Sequence, residues 1–279
     1  MKKVNALVLT GFGLNCDYET AHVLTLAGAN AQRVHLNDLI GTRLNPVQKK
    51  LADYQILVFG GGFAWGDDHG GGVILATRLK RHLKDQITLF LEKGGLVLGI
   101  CNGFQTLVNL GLLPGYPQIN FARQVALTYS DCGNFQDRWV EILINQASPC
   151  VFTKNIETMQ LPIRHGEGKL MAPEAIVKQM LKNNLHCVLY GNGKGKPAQG
   201  KFPANPNGSL YDIAGICDPS GRIFGLMPHP EAFYRQSQHP DFTLRRELAA
   251  RRNQEIKGED WADGMQIFVN AVRAAEEIL

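Results

Sequence analysis

The sequence has no C-x-x-C pair. Its six cysteines, Cys16, Cys101, Cys132, Cys150, Cys187 and Cys217, are scattered over 279 residues. That spacing argues against a zinc-ribbon type of site, and a chain this long has no need of a disulfide framework. A reducing cytoplasm fits this usage. No long run of lysine or arginine occurs and the formal charge is only +4, so nucleic acid is not the expected partner. No apolar stretch reaches the length needed to span a membrane. The opening "MKKVNALVLTGFG" has too short an apolar part for a signal peptide and reads as a first strand. No Gly-Lys-Ser/Thr triplet follows a glycine-rich turn, so a P-loop is not expected. There is no internal repeat and no low-complexity segment. The remainder, 44% hydrophobic and 19% charged, is ordinary for a globular protein with a sizeable core.

The first third alternates short apolar runs with longer amphipathic ones. "NALVLTG", "AQRVHL", "YQILVFGGG" and "LVLGI" read as strands. "DYETAHVLTLAGA" reads as a helix, "ILATRLKRHLKDQITLFLEKGG" as one long helix ending at Gly94, and "NGFQTLVNLGLL" as a helix stopping before Pro114. Alternating strands and helices imply right-handed crossovers and a mostly parallel sheet. Three of the strands are nearly all apolar, as strands covered on both faces should be. The middle differs: "QVALTYS" and "RWVEILIN" look antiparallel, and "DIAGICDPSGRIFGLM" reads as a hairpin turning at Asp218-Pro219-Ser220-Gly221. Residues 191–208 read as a long exposed loop. The tail after Tyr234 holds a basic helix, "FTLRRELAARRNQ", and a last amphipathic one, "WADGMQIFVNAVRAAEEIL". The expected organisation is one domain over 1–279, with 235–279 a helical C-terminal extension.

Cys101 stands between Gly99 and Gly103, where a strand gives way to a helix. A nucleophile on such a turn stands clear of the sheet, with a helix N-terminus and backbone N–H groups close by. The turn is crowded, so residues two positions away on each side must be small. A free cysteine is more often a small buried hydrophobe, and the other five are read that way. Cys16 is the least certain of them, because it opens a helix near Gly11 and Gly13. A thiolate nucleophile needs a base and an orienter. In "LMPHPEAF", prolines push Met227 and His229 toward extended geometry. Residues two apart in an extended chain point the same way, so His229 and Glu231 should project side by side. The result is a Cys101–His229–Glu231 triad.

Acyl transfer also needs oxyanion donors. "FGGGFAWGDDHGGG" follows an expected strand, where a parallel sheet presents its active-site loops. One donor is expected from Gly62 and one from the N–H of Asn102. Asp67, Asp68 and His69 are read as solvated loop residues, and no metal is expected.

Taken together, these segments resemble the class I glutamine amidotransferases. "GICNGFQ" is similar to that family's nucleophile motif and "MPHPEAF" to its histidine–glutamate motif. "GGFAWGD", "RHGEG", "NPNGS" and "IAGICDPSGRIFGLMPHPE" resemble, in order, the glutaminase subunits or domains of phosphoribosylformylglycinamidine synthases. The resemblance spans Val4 to about Phe233. It implies a three-layer, flavodoxin-like α/β sandwich with a mostly parallel central sheet, antiparallel additions and C-terminal helices. It implies that Cys101 attacks the carboxamide of L-glutamine, that His229 moves protons and Glu231 orients it, and that Gly62 and Asn102 form the oxyanion hole. Gln105, His165, Gly166 and Glu167 are then expected to contact glutamine. No cofactor is expected in this chain. ATP and magnesium are expected on the partner, an ATP-dependent synthase large subunit, with a small third subunit in many lineages.

Some features depart from the family. Ala232 stands where an arginine often follows His-Pro-Glu, and "FARQVALTYSDCGNFQDRW" follows the family only in part. Arg245, Arg246, Arg251 and Arg252 read as a solvated helix face or as a docking surface for an acidic patch. A cysteine hydrolase of another type on the same fold, a non-catalytic module, and a glutaminase serving a different synthase are the alternatives.

Overall fold

The structure is a computed structural model that describes residues 3–44 and 46–278. Met1, Lys2, Asn45 and Leu279 of the expected 1–279 unit lie outside the described residues. The chain opens with β1 (Asn5–Thr10), α1 (Asp17–Leu26), β2 (Asn30–His35) and a short α2 (Leu36–Ile40). Then come β3 (Ile56–Phe59), α3 (Val73–His82), α4 (Lys84–Glu92), β4 (Leu96–Ile100) and α5 (Asn102–Leu110). The middle holds β5 (Ala126–Tyr129), β6 (Gln136–Ile144), β7 (Thr158–His165), β8 (Glu167–Met171), α6 (Glu174–Lys182) and β9 (Val188–Tyr190). After these follow β10 (Ile213–Cys217), β11 (Ile223–Leu226), α7 (Phe242–Ala250) and α8 (Met265–Glu276).

Among the described residues, nine strands form one sheet in the order β2-β1-β3-β4-β11-β10-β9-β6-β7. The first five are mutually parallel, and the last four each run antiparallel to their neighbour. β5 and β8 pair separately as a two-stranded antiparallel sheet. Every residue of β3 and β4 is buried, which is why these strands are apolar without alternation. The step from β1 to β2 crosses the sheet one way and the step from β3 to β4 the other. Right-handed crossovers therefore put their helices on opposite faces. α1 packs with α8 on one side, and α3 with α5 on the other. The direction reverses between β1 and β3, so the loops after β1, β3, β4 and β11 gather at the carboxyl edge of the sheet.

Three expectations are revised. The single helix expected up to Gly94 is two helices, broken at Leu83 (φ −125°, ψ 5°). The bonds Leu83 N–H to Leu79 O and Ile87 N–H to Leu83 O continue through the break. The bend keeps Leu79, Leu83 and Ile87 all buried while α3 packs on α5 and α4 turns away toward the 51–53 turn. α5 stops at Leu110, short of the expected end, because Gly111 (φ 79°) caps it, with Gly111 N–H to Val108 O and Leu112 N–H to Leu107 O. Finally, the loop 191–208 is not exposed throughout. Asn205 Nδ2 donates to Asp212 Oδ1 and to Ser209 O, and Asn207 Nδ2 donates to Gly168 O and to the Tyr190 hydroxyl. These amides replace a strand's backbone partners and pin the loop's end to β8 and β9.

α8 is part of a main layer. Met265, Ile267, Phe268, Ala271, Val272 and Ala275 are buried, and Asn270 Nδ2 donates to the carbonyls of Phe152 and Lys154. α7 buries only Ala249.

Candidate active site

β4 delivers Cys101 to the carboxyl edge and α5 begins at the next residue. Cys101 has φ 50° and ψ −106°, a conformation costly for a non-glycine residue that persists only when its surroundings dictate it. They do so here: Cys101 N–H donates to Leu226 O at 2.8 Å and Cys101 O accepts from Gln105 N–H at 3.0 Å. The two glycines have a steric cause. A Cβ on Gly99 would sit 2.8 Å from the Gly103 carbonyl oxygen, and one on Gly103 would fall inside the Phe59 carbonyl.

β11 lies parallel to β4, with Leu226 opposite Ile100, so the segment after β11 arrives beside Cys101. Met227 N–H donates to Ala214 O and His229 N–H to Pro162 O. Past His229 the chain does not stay extended as expected. Residues Pro230–Ala232 form a 3-10 turn, with Ala232 N–H donating to His229 O at 3.2 Å. A proline at the first turn position favours this curl, and the curl still brings the carboxylate under the ring. His229 Nδ1 lies 2.6 Å from Glu231 Oε1, and both side chains are buried. Burial disfavours the imidazolium, but the Glu231 charge and the Cys101 sulfur outweigh it and hold the His229 pKa well above its ordinary value. Nε2 makes no hydrogen bond among the described residues, and the Cys101 thiol donates to Arg164 O at 3.5 Å.

The glycine loop after β3 is fastened to α5 by side chains. Asn102 Oδ1 accepts from Ala64 N–H at 3.3 Å, and its Nδ2 donates to Asp67 Oδ1 at 2.9 Å and to Gln105 Oε1 at 3.0 Å. Gly62 has φ +146°, and a Cβ there would meet the Gly13 carbonyl at 2.5 Å. Phe59 is level with Gly99 in the sheet, so the glycine loop leaves β3 at the same carboxyl edge as the Cys101 bend. Asp67, Asp68 and His69 do not gather as ligands among the described residues. Asp67 turns inward to Asn102 instead, and burial raises its carboxyl pKa.

Gln105 is buried, and its Nε2 donates to Glu167 O at 2.7 Å. Its amide thus joins α5 to the start of β8. Glu167 Oε2 accepts from Gly71 N–H at 3.0 Å, and Gly166 O accepts from Ser130 N–H at 2.9 Å. His165 is buried, and among the described residues neither of its ring nitrogens is hydrogen-bonded. Burial and then the charge of His229 lower its pKa to about 4, so the ring is neutral. Sequence reasoning left Cys16 aside. Its sulfur, one nitrogen of His229 and one oxygen of Glu231 lie within 4.8 Å of one another, and burial raises its thiol pKa. The only sequence hint was its place at a helix start beside two glycines. Asp67 and Gly71 as anchors of the loop also went unseen.

The arrangement supplies a thiol on a strained bend and a buried histidine–carboxylate pair, with a glycine loop at the same sheet edge, a setting suited to cysteine acyl transfer. The family model for the CobB/CobQ-like glutamine amidotransferase domain matches residues 3–273. Phosphoribosylformylglycinamidine synthase subunit PurQ of Methanococcus maripaludis is 45% identical over 267 residues, 95% of each chain. The subunit of the same name from Dehalococcoides mccartyi is 43% identical over 279 residues, 100% of each chain. In the structure of PurLQS from Thermotoga maritima, one chain superposes with a TM-score of 0.66 at 27% identity, covering 98% of this chain and 99% of that one. Matched over nearly its whole length, the chain belongs to the CobB/CobQ-like glutamine amidotransferase family and, within it, to the phosphoribosylformylglycinamidine synthase subunits PurQ.

Proposed function

We propose that this chain is the glutaminase subunit of a phosphoribosylformylglycinamidine synthase, hydrolysing glutamine and passing ammonia to an ATP-dependent synthase subunit in purine biosynthesis. The observation that carries this reading is the 2.6 Å His229–Glu231 pair set beside the Cys101 bend, in a chain 43% identical end to end to a PurQ subunit.

The Cys101 sulfur attacks the carboxamide carbon, and the oxygen's developing charge is held by the N–H groups of Gly62 and Asn102. His229 gives a proton to the leaving nitrogen, so ammonia departs and a γ-glutamyl thioester forms. Water then adds to the thioester, His229 takes its proton, and glutamate leaves with the thiol restored. Glu231 fixes the proton on Nδ1, which leaves Nε2 facing the reacting atoms. The backbone of His165, Gly166 and Glu167 lines the glutamine pocket. Gln105, its amide already bonded to Glu167, holds that strip in place against α5.

Ammonia released into water would be protonated and lost, so the site is read with a partner over it. Phe12, Phe63 and Phe135 stand exposed near the catalytic loops, apolar surface of the kind a partner covers. ATP and magnesium belong to that synthase subunit, a small third subunit joins the assembly in many lineages, and the reaction runs in the cytoplasm.

The test is co-expression with the ATP-dependent subunit, followed by glutamine-dependent formation of the amidine. Cys101→Ala should abolish the glutamine reaction and leave that with ammonium salts intact. Absence of glutamine-dependent product from a folded complex would refute the reading.

A further inference from the structure

Three cysteines take no part in the site above, and they meet. Cys150 precedes the turn Val151–Thr153, Cys187 precedes β9, and Cys217 ends β10. Their sulfur atoms lie within 4.8 Å of one another and all three are buried. The cluster sits at the opposite edge of the sheet from the catalytic bend. β10 runs antiparallel to β11, with Cys217 opposite Phe224 near the start of β11, whereas His229 follows the end of β11.

Three separate segments are held to this convergence by backbone bonds: Asn145 N–H to Cys187 O, Cys217 N–H to Leu185 O, and Val151 N–H to Gly221 O. A half-buried serine borders the cluster. Ser148 Oγ lies 3.5 Å from Cys217 Sγ and accepts from Cys150 N–H at 3.3 Å. Thiolates at about 2.3 Å from a zinc ion stand roughly 3.8 Å apart in a tetrahedral site, a spacing this cluster can meet with little movement. Three buried sulfurs converging from separate segments make a thiolate ligand set.

We propose that Cys150, Cys187 and Cys217 bind a single thiophilic d10 cation, zinc(II) or copper(I), at a site separate from catalysis. Binding releases the thiol protons to solvent. Zinc completes its fourth position on the Ser148 side, whereas copper(I) is satisfied by three sulfurs. The ion would tie the 145–150 loop to β9 and β10 and stabilise the fold.

The experiment uses the full chain, purified anaerobically with a chelator, then titrated separately with zinc(II) and copper(I). About one equivalent should bind, and the midpoint of thermal unfolding should rise. Cobalt(II) should give a thiolate charge-transfer band that survives Cys101→Ala and Cys132→Ser but not Cys217→Ser. Ser148→Ala should weaken zinc roughly tenfold and leave copper(I) unchanged if the fourth position is as stated. Should Cys217→Ser fail to fold, Cys187→Ala is the second variant, with circular dichroism as the check on folding. No stoichiometric uptake by the folded chain, a disulfide within the cluster in place of metal, or uptake that survives both substitutions would overturn the proposal.

Discussion

Asn102 Nδ2 donates to Asp67 Oδ1 at 2.9 Å, joining the first turn of the nucleophile helix to the glycine loop after β3. The same side chain accepts from Ala64 N–H, so one amide ties the glycine loop to the start of α5. Asn102→Ala keeps the backbone N–H at position 102 but strands the Ala64 N–H and takes one hydrogen bond from the Asp67 carboxylate. We expect glutaminase kcat to fall roughly 10- to 100-fold with KM little changed, and stability to drop by about 1–3 kcal/mol. Steady-state kinetics with denaturant unfolding checks both. An unchanged kcat would mean that the loop holds its shape without Asn102.

Gly103 meets the Phe59 carbonyl so closely that a side chain has nowhere to go. Gly103→Ala should cost more than about 3 kcal/mol and yield insoluble or unfolded protein. Gly133→Ala is the comparison. Gly133 has φ +72° but open space around it, so its cost should stay near 1 kcal/mol. Equal thermal midpoints for the two variants would remove steric crowding as the reason for the glycine.

These residues also explain what could be read in advance. The glycine–cysteine–glycine spacing was legible because its cause lies within five consecutive residues and one facing strand. The His229–Glu231 pair was legible for an incomplete reason: the proximity expected of an extended chain comes from a 3-10 turn. The parallel half of the sheet followed from apolar runs that are buried on both faces. The break at Leu83 was not legible, because no glycine or proline marks it and the apolar spacing runs straight through. Nor was the bond from Gly71 to Glu167, two residues 96 positions apart, or the approach of Cys16 to His229. Such contacts are decided by the folded sheet, and nothing local announces them.

Glu231→Gln removes a charge and keeps a hydrogen-bond acceptor near His229. In the native protein the His229 pKa is raised well above its ordinary value, against about 6.5 in an unfolded chain. The stabilisation from that pair is therefore full below pH 6.5. It is lost as pH rises toward the folded pKa, because the unfolded chain gives up its proton first. The stability gap between wild type and Glu231→Gln should shrink steadily from neutral into alkaline pH, read from urea midpoints. The same variant should lose roughly 100-fold or more in glutaminase kcat, since the imidazole loses the charge that orients it. A gap that does not vary with pH would contradict the assignment of the raised pKa to Glu231.

His165 shows the opposite sign. Burial, helped by the nearby His229, lowers its pKa to about 4, and among the described residues neither ring nitrogen has a hydrogen-bond partner. Above pH 6.5 both folded and unfolded chains carry it neutral, so it adds no pH dependence there. Between pH 6.5 and 4 the unfolded chain takes up a proton that the folded one refuses, and stability falls by up to about 3 kcal/mol. Below pH 4 the loss from this group levels off. His165→Gln has no such proton to refuse, so its urea midpoint should decline less than that of wild type over the same interval. Parallel curves would show that His165 is protonated in the folded protein, and with it that a second positive charge sits beside His229.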